Sequence, residues 1–146
     1  MYYTFDESSS FNQPLAWDTS KVTTMQRTFQ NAESFNQAID WDTSSVKRMI
    51  QTFRLASAFD QPLNWDTSRV TRMPWMFYDA ASFDSQLAWD TSSVTSLKRM
   101  FYYTSSFNQD IGSWDTSSVT TMEHLFFYDT SFEQDIAAWE NSSDTR

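Results

Sequence analysis

Residues 59–82 read FDQPLNWDTSRVTRMPWMFYDAAS, and variants of this string follow one another along the whole chain. Upstream stand FNQPLAWDTSKVTTMQRTFQNAES from Phe11 and FNQAIDWDTSSVKRMIQTFRLASA from Phe35. Downstream come FDSQLAWDTSSVTSLKRMFYYTSS from Phe83 and FNQDIGSWDTSSVTTMEHLFFYDTS from Phe107. The repeats are thus 11–34, 35–58, 59–82, 83–106 and 107–131, with a half repeat at 1–10 and a partial one at 132–146, in one domain over 1–146. A fixed period of this length is the signature of a repeat architecture and decides the fold class before local propensity does.

The repeats align into apolar columns. One holds Phe11, Phe35, Phe59, Phe83, Phe107 and Phe132, and another Trp17, Trp41, Trp65, Trp89, Trp114 and Trp139. Valines (Val22, Val46, Val70, Val94, Val119) and second phenylalanines (Phe29, Phe53, Phe77, Phe101, Phe126) form two more. A 24-residue unit cannot bury these positions alone, so like must stack on like between neighbouring turns. Prolines assign conformation within a turn. Pro14 and Pro62 cannot donate to a ladder, so a short strand is expected after them at Leu-x-Trp. Pro74 suits a first helical position, so V-T-x-M is expected to be extended and the residues after it to form a short helix. With one glycine, Gly112, the D-T-S triplets must turn the chain through side-chain to backbone hydrogen bonds. The expected fold is a repeat solenoid, each coil holding a short parallel β-strand, an extended segment and a helical turn.

The recurring F-N-Q, W-D-T-S and V-T-x-M motifs resemble the BspA-like, mycoplasma-type surface-protein repeat, a divergent relative of leucine-rich repeats, over essentially the whole chain. The resemblance implies a leucine-rich-repeat-like solenoid in a cell-surface or secreted protein with a role in adhesion, and carries no catalytic residues. After W-D-T-S and V-T, where that family often has Asn, this chain has Lys21, Ser45, Arg69, Ser93, Ser118 and Thr24, Arg48, Arg72, Ser96, Thr121.

Composition narrows the function. With 40% hydrophobic and 18% aromatic residues the chain can bury a continuous core. A net charge of -9 disfavours nucleic acid and anionic membranes, which need uncompensated Lys and Arg. There is no cysteine to form disulfides or thiolate metal sites. No apolar run approaches the roughly 20 residues of a membrane span, and the first residues do not read as a secretion signal, so an extracellular protein is expected to have lost its signal.

Several columns look chemical. Asp18, Asp42, Asp66, Asp90 and Asp115, continued by Glu140, would stack carboxylates one turn apart. Corner hydrogen bonding is the first reading, and a row of Ca2+ ions between turns is the rival. Thr19, Thr43, Thr67, Thr91 and Thr116 could be an ice- or mineral-binding hydroxyl array, or a corner ladder. Gln13, Gln37, Gln61, Gln109 and Gln134 read as an amide ladder, and His124, the sole histidine, as a surface residue. The residues that vary between repeats are Ile50, Trp75, Tyr78, Tyr102, Tyr103, Phe127 and Tyr128, among Arg27, Arg54, Lys98 and Arg99. Aromatics interleaved with Arg read as a face for a protein or glycan on another cell.

The ends suggest self-assembly. Joining WENSSDTR to MYYTFDESSS completes a repeat, with Met1 on the Met73 column and Phe5 on the Phe77 column. The expectation is a head-to-tail filament through Met1, Tyr2, Tyr3, Phe5, Phe11, Phe132, Ile136, Trp139, Asp144 and Arg146, the Arg146 carboxylate meeting the Met1 amine. Asp144, in the valine column, is the polar exception. Three non-enzymatic functions follow in order: self-assembling fibre, adhesive surface module, and ice- or mineral-binding array.

Overall fold

Backbone hydrogen bonding explains how so short a repeat holds its shape in the computed structural model, which describes residues 1–139 and Thr145. In the turn-forming half of each winding, alternate N–H groups reach the next winding. Met25, Arg27, Phe29 and Asn31 donate to the carbonyls of Arg48, Ile50, Thr52 and Arg54 at 2.8 to 3.0 Å. Met49, Gln51, Phe53 and Leu55 repeat the pattern onto Arg72, Pro74, Met76 and Tyr78. Intervening N–H groups close tight turns inside the winding, such as Thr28 to Met25 and Ala32 to Phe29, both at 3.2 Å. The backbone is thereby satisfied without a helix.

These turns force the chain through the left-handed region. Twelve non-glycine residues have positive φ, in pairs four apart: Tyr3 and Glu7, Arg27 and Asn31, Gln51 and Leu55, Trp75 and Asp79, Arg99 and Tyr103, His124 and Tyr128. Pro74 followed by Trp75 at φ 55° is the type II arrangement, proline at the second position and positive φ at the third. A left-handed residue every fourth position is incompatible with an α-helix.

The leucine-rich-repeat-like solenoid of strand, extended segment and helix is therefore corrected: among the described residues there is no α-helix and no sheet. Inter-winding pairing reduces to single parallel bridges, Thr24 to Arg48, Arg48 to Arg72, Arg72 to Ser96 and Ser96 to Thr121. They lie in V-T-x-M, the extended segment expected there, and not in Leu-x-Trp. The Leu-x-Trp carbonyls are taken instead by indoles of the following winding: Trp41, Trp65, Trp89 and Trp114 Nε1 donate to Leu15, Ile39, Leu63 and Leu87 at 3.0 to 3.2 Å. One indole takes the first carbonyl of each of these segments, and no bridge between windings runs through them among the described residues.

Aromatic columns stack as expected. Phe77 is fully buried and lies between Phe53 and Phe101 at 5.6 and 5.7 Å, with Phe83 of the next repeat against it at 4.0 Å. Trp17 and Trp41 stand 5.9 Å apart, and Trp114 and Trp139 6.1 Å apart. Near-parallel rings at these separations are offset stacks, each adding about 0.5 to 1.5 kcal/mol beyond its buried area. Met1, Phe5 and Phe11 continue the columns, Phe5 lying 5.5 Å from Phe29. The longer fifth repeat is absorbed at Gly112, where a Cβ would come within 2.9 Å of the Asp135 carbonyl oxygen. Only glycine fits so close an approach.

Candidate functional site

Each conserved-looking polar motif has a structural task. Asp18, Asp42, Asp66 and Asp90 accept through Oδ1 the backbone N–H of Ser20, Ser44, Ser68 and Ser92 at 3.0 Å, and their hydroxyls at 2.6 or 2.7 Å. Asp115 accepts the Ser117 N–H at 2.9 Å. These bonds hold all five carboxyls below the ordinary aspartate range. The corner reading of the Asp column fits this geometry, and no group of three or more metal-binding side chains occurs among the described residues. Glu140 lies outside them.

Thr19, Thr43, Thr67, Thr91 and Thr116 are buried, between 1% and 5% exposed, and the first four donate to the Asp42, Asp66, Asp90 and Asp115 carbonyls at 2.9 to 3.0 Å. As an outward hydroxyl array for ice or mineral this column is corrected: its threonines are buried, and the hydroxyls of the first four are spent on the next corner. The glutamines do form inter-winding amide bonds. Gln37, Gln61, Gln109 and Gln134 Nε2 donate to Asn12, Asn36, Asp84 and Asn108 Oδ1 at 2.9 or 3.0 Å. The acceptors are what sequence reasoning missed. Each of Asn12, Asn36, Asp60, Asp84 and Asn108 also takes the backbone N–H of its own column one winding on, at 2.8 to 3.0 Å. The signal was present, because that position holds only Asn or Asp from Asn12 to Asn108.

With these motifs absorbed by the fold, the variable residues stand out. Tyr103 and Tyr128 stack at 4.6 Å, 43% and 55% exposed, on backbone at φ 60° and 61°. Tyr78 stacks on Tyr102 at 4.9 Å, and Tyr102 on Phe127 at 5.4 Å. Arg54 lies over Tyr78 at 5.2 Å and Arg99 over Tyr102 at 5.4 Å, cation–π contacts that hold the rings in place. His124 joins the strip edge-on to Phe127 at 4.9 Å, with Nε2 3.4 Å from Glu123 Oε1. Lys98 donates to Glu123 Oε2 at 2.7 Å, which lowers that carboxyl. Arg99 Nε and His124 Nδ1 are buried without a hydrogen-bond partner. Partial burial raises the Tyr103 phenol, with Tyr128, Tyr102 and Tyr78 adding to it.

The structure thus brings Tyr78, Arg99, Tyr102, Tyr103, Phe127 and Tyr128 into one strip across three windings. Trp75 and Ile50 are half-buried; the Trp75 carbonyl accepts the Tyr78 N–H at 3.3 Å, and neither side chain makes a ring contact with the strip among the described residues. Beside the strip's far end a hollow of about 420 Å3 is lined by Phe126, Asp129, Thr130 and Glu133. Burial lifts the Asp129 carboxyl there to about 6.

The residues expected at the filament junction are divided. Tyr2 and Tyr3 are 57% and 38% exposed, Phe5, Phe11, Phe132 and Ile136 pack partly against the core, and Trp139 is buried. The Met1 amine donates to Thr24 at 2.7 Å, within its own chain. Asp144 and Arg146 lie outside the described residues.

The family described as "Mycoplasma protein of unknown function, DUF285" matches residues 1–88 and again 88–146, and the chain belongs to that family of surface-protein repeats. No curated protein and no solved structure matches it.

Proposed function

We propose that this chain is a non-catalytic module of a cell surface that binds a partner through its aromatic strip. The observation that carries this reading is the Tyr103–Tyr128 pair, large, exposed and seated on left-handed backbone. Bulky side chains there add strain that Gly or Asn would avoid, and strain kept at an exposed site is a mark of function. Tyrosine offers broad contact area at low entropic cost, and the flanking arginines suit it to an interface. The partner is a protein or glycan displayed outside the cell.

The test replaces both tyrosines by Asn, which tolerates positive φ. Beads coated with the wild-type chain should adhere to immobilised extracellular-matrix proteins or cultured animal cells, and beads carrying Tyr103→Asn/Tyr128→Asn should not, while the melting temperature holds or rises. Equal adhesion by both proteins overturns the reading.

A second reading is stacking of copies end to end. It is supported by Trp17, whose indole is 42% exposed where Trp41, Trp65, Trp89 and Trp114 are 4% to 6% exposed. Polymers visible by electron microscopy, shortened by Trp17→Ser, support it; a monodisperse monomer at high concentration removes it.

A further inference from the structure

A second surface follows the corner, in the segment that carries the parallel bridges. Three positions per winding line it, the residue before the valine and the two after it, and of these only Ser96 is buried. In the five windings from Lys21 to Thr121 these fifteen positions hold only Ser, Thr, Lys and Arg. The cations are Lys21, Lys47, Arg48, Arg69 and Arg72, all exposed and all in the first three windings. They are half of the ten Lys and Arg in a chain of net charge -9.

Neither close ion pair among the described residues, Lys98–Glu123 or His124–Glu123, includes any of the five. One of the five, Arg69, acts on a corner carboxylate, Asp66, whose Oδ1 is already bonded to Ser68. The equivalent positions in the next two windings are hydroxyl residues, and the fold accepts them: Thr95 and Thr120 donate to the Thr71 and Thr95 carbonyls at 3.0 Å. With those hydroxyl protons spent on the backbone, contacts to an anion have to come from the cations. The bridges fix their backbone: Lys47 and Thr71 N–H donate to Thr23 and Lys47 at 2.9 and 3.0 Å, and Met49 donates to Arg72 at 2.9 Å. Arg48 and Arg72 therefore sit on adjacent rungs, roughly 4.8 Å apart along the stack, as like charges of which neither is in a close ion pair among the described residues.

From this array we infer that the face binds an anionic polysaccharide, its sulfate or carboxylate groups meeting the cations of successive windings. Guanidinium groups take such groups in bidentate fashion, and a flexible chain of regularly spaced anions can follow a straight row. The face lacks the aromatic rings on which single-stranded nucleic acid stacks and the apolar side chains that anchor a peripheral protein in a bilayer. The site is separate from the aromatic strip, and its failure leaves the proposed partner binding untouched.

The experiment uses the full chain, a fluorescent heparin oligosaccharide as probe, and a variant that copies the later windings: Lys47→Thr/Arg48→Ser/Arg69→Ser/Arg72→Ser. A control, Ala16→Glu/Ala38→Glu/Asn64→Asp/Ala88→Glu, changes net charge equally at exposed positions on the Leu-x-Trp side. Wild type should bind, weakening about tenfold or more when salt rises from roughly 50 to 200 mM. The first variant should lose at least about tenfold in affinity and the control only a few-fold, as expected for contact and not net charge. No binding by wild type, or equal losses in both variants, overturns the inference. So does tighter binding to duplex DNA or to phosphatidylserine vesicles, which would assign the face to nucleic acid or membrane.

Discussion

Replacing Gln51 by Gly and, separately, by Val isolates the left-handed backbone on which this fold depends. Gln51 sits at φ 56°, half-buried, and its Oε1 accepts from Arg27 Nε at 2.6 Å. Both variants lose that bond, so their difference reports the backbone. A Cβ in the left-handed region costs about 1 to 2 kcal/mol, more when β-branched. Glycine escapes that cost but gives back about 0.5 to 1 kcal/mol through the entropy of its unfolded chain. The Gly variant should therefore exceed the Val variant by about 1 kcal/mol, or about 3 °C in melting temperature for a chain of this size. In an ordinary extended position the order is reversed, because valine favours strands and glycine weakens them. Urea denaturation with thermal melts checks it, and a Val variant as stable as the Gly variant refutes the reasoning. Summed over the twelve left-handed residues, the strain is on the order of 12 kcal/mol, comparable with the roughly 5 to 15 kcal/mol of a whole domain. Inter-winding hydrogen bonds and ring stacks must offset it.

Two further predictions concern side chains. Asn36→Ala leaves the Asp60 N–H and the Gln61 amide without their shared acceptor and should cost about 1 kcal/mol in urea denaturation, whereas Asn36→Asp should be near neutral because Asp60 and Asp84 fill the same column. Asp129 sets a pH dependence: its folded pKa of about 6 lies above the ordinary 3.8, so its contribution is full below the ordinary value and is lost as pH rises through about 6. The five corner aspartates act oppositely, their contribution full above the ordinary value and lost as pH falls below it through their lowered folded values. Asp129→Asn should flatten the stability change between about pH 4.5 and 7, and an unchanged slope would show that another group sets it.

The columns were legible because identical side chains at a fixed period have only one economical arrangement, and Phe5, Phe29, Phe53 and Phe77 stack as their spacing requires. The D-T-S corner was legible too, since a chain with one glycine must turn by side-chain hydrogen bonds. Helix and strand were not. Pro74 fits a helix start and a type II turn equally well, and only the left-handed φ of the next residue separates them. Asn31 and Asp79 in the second left-handed column carried that information, but Leu55, Tyr103 and Tyr128 there obscured it. The strand was misplaced because Leu-x-Trp has the right apolar alternation, while the indole that takes its carbonyl comes from the following repeat. The aromatic strip was visible as variable residues, but its ring pairing depends on turns that the sequence does not announce.

Disulfide trapping tests the stacking of windings most directly, since the chain has no cysteine of its own. Arg48 and Arg72 are bridge partners on adjacent windings, whereas Ser96 lies two windings from Arg48. Arg48→Cys/Arg72→Cys should close an intramolecular disulfide under mild oxidation, its Cα separation falling within the roughly 4.4 to 6.8 Å such bonds need. Arg48→Cys/Ser96→Cys should stay open as a monomer. If the second pair closes as readily as the first, or the first does not close, the windings are not stacked at a one-repeat interval and the account fails.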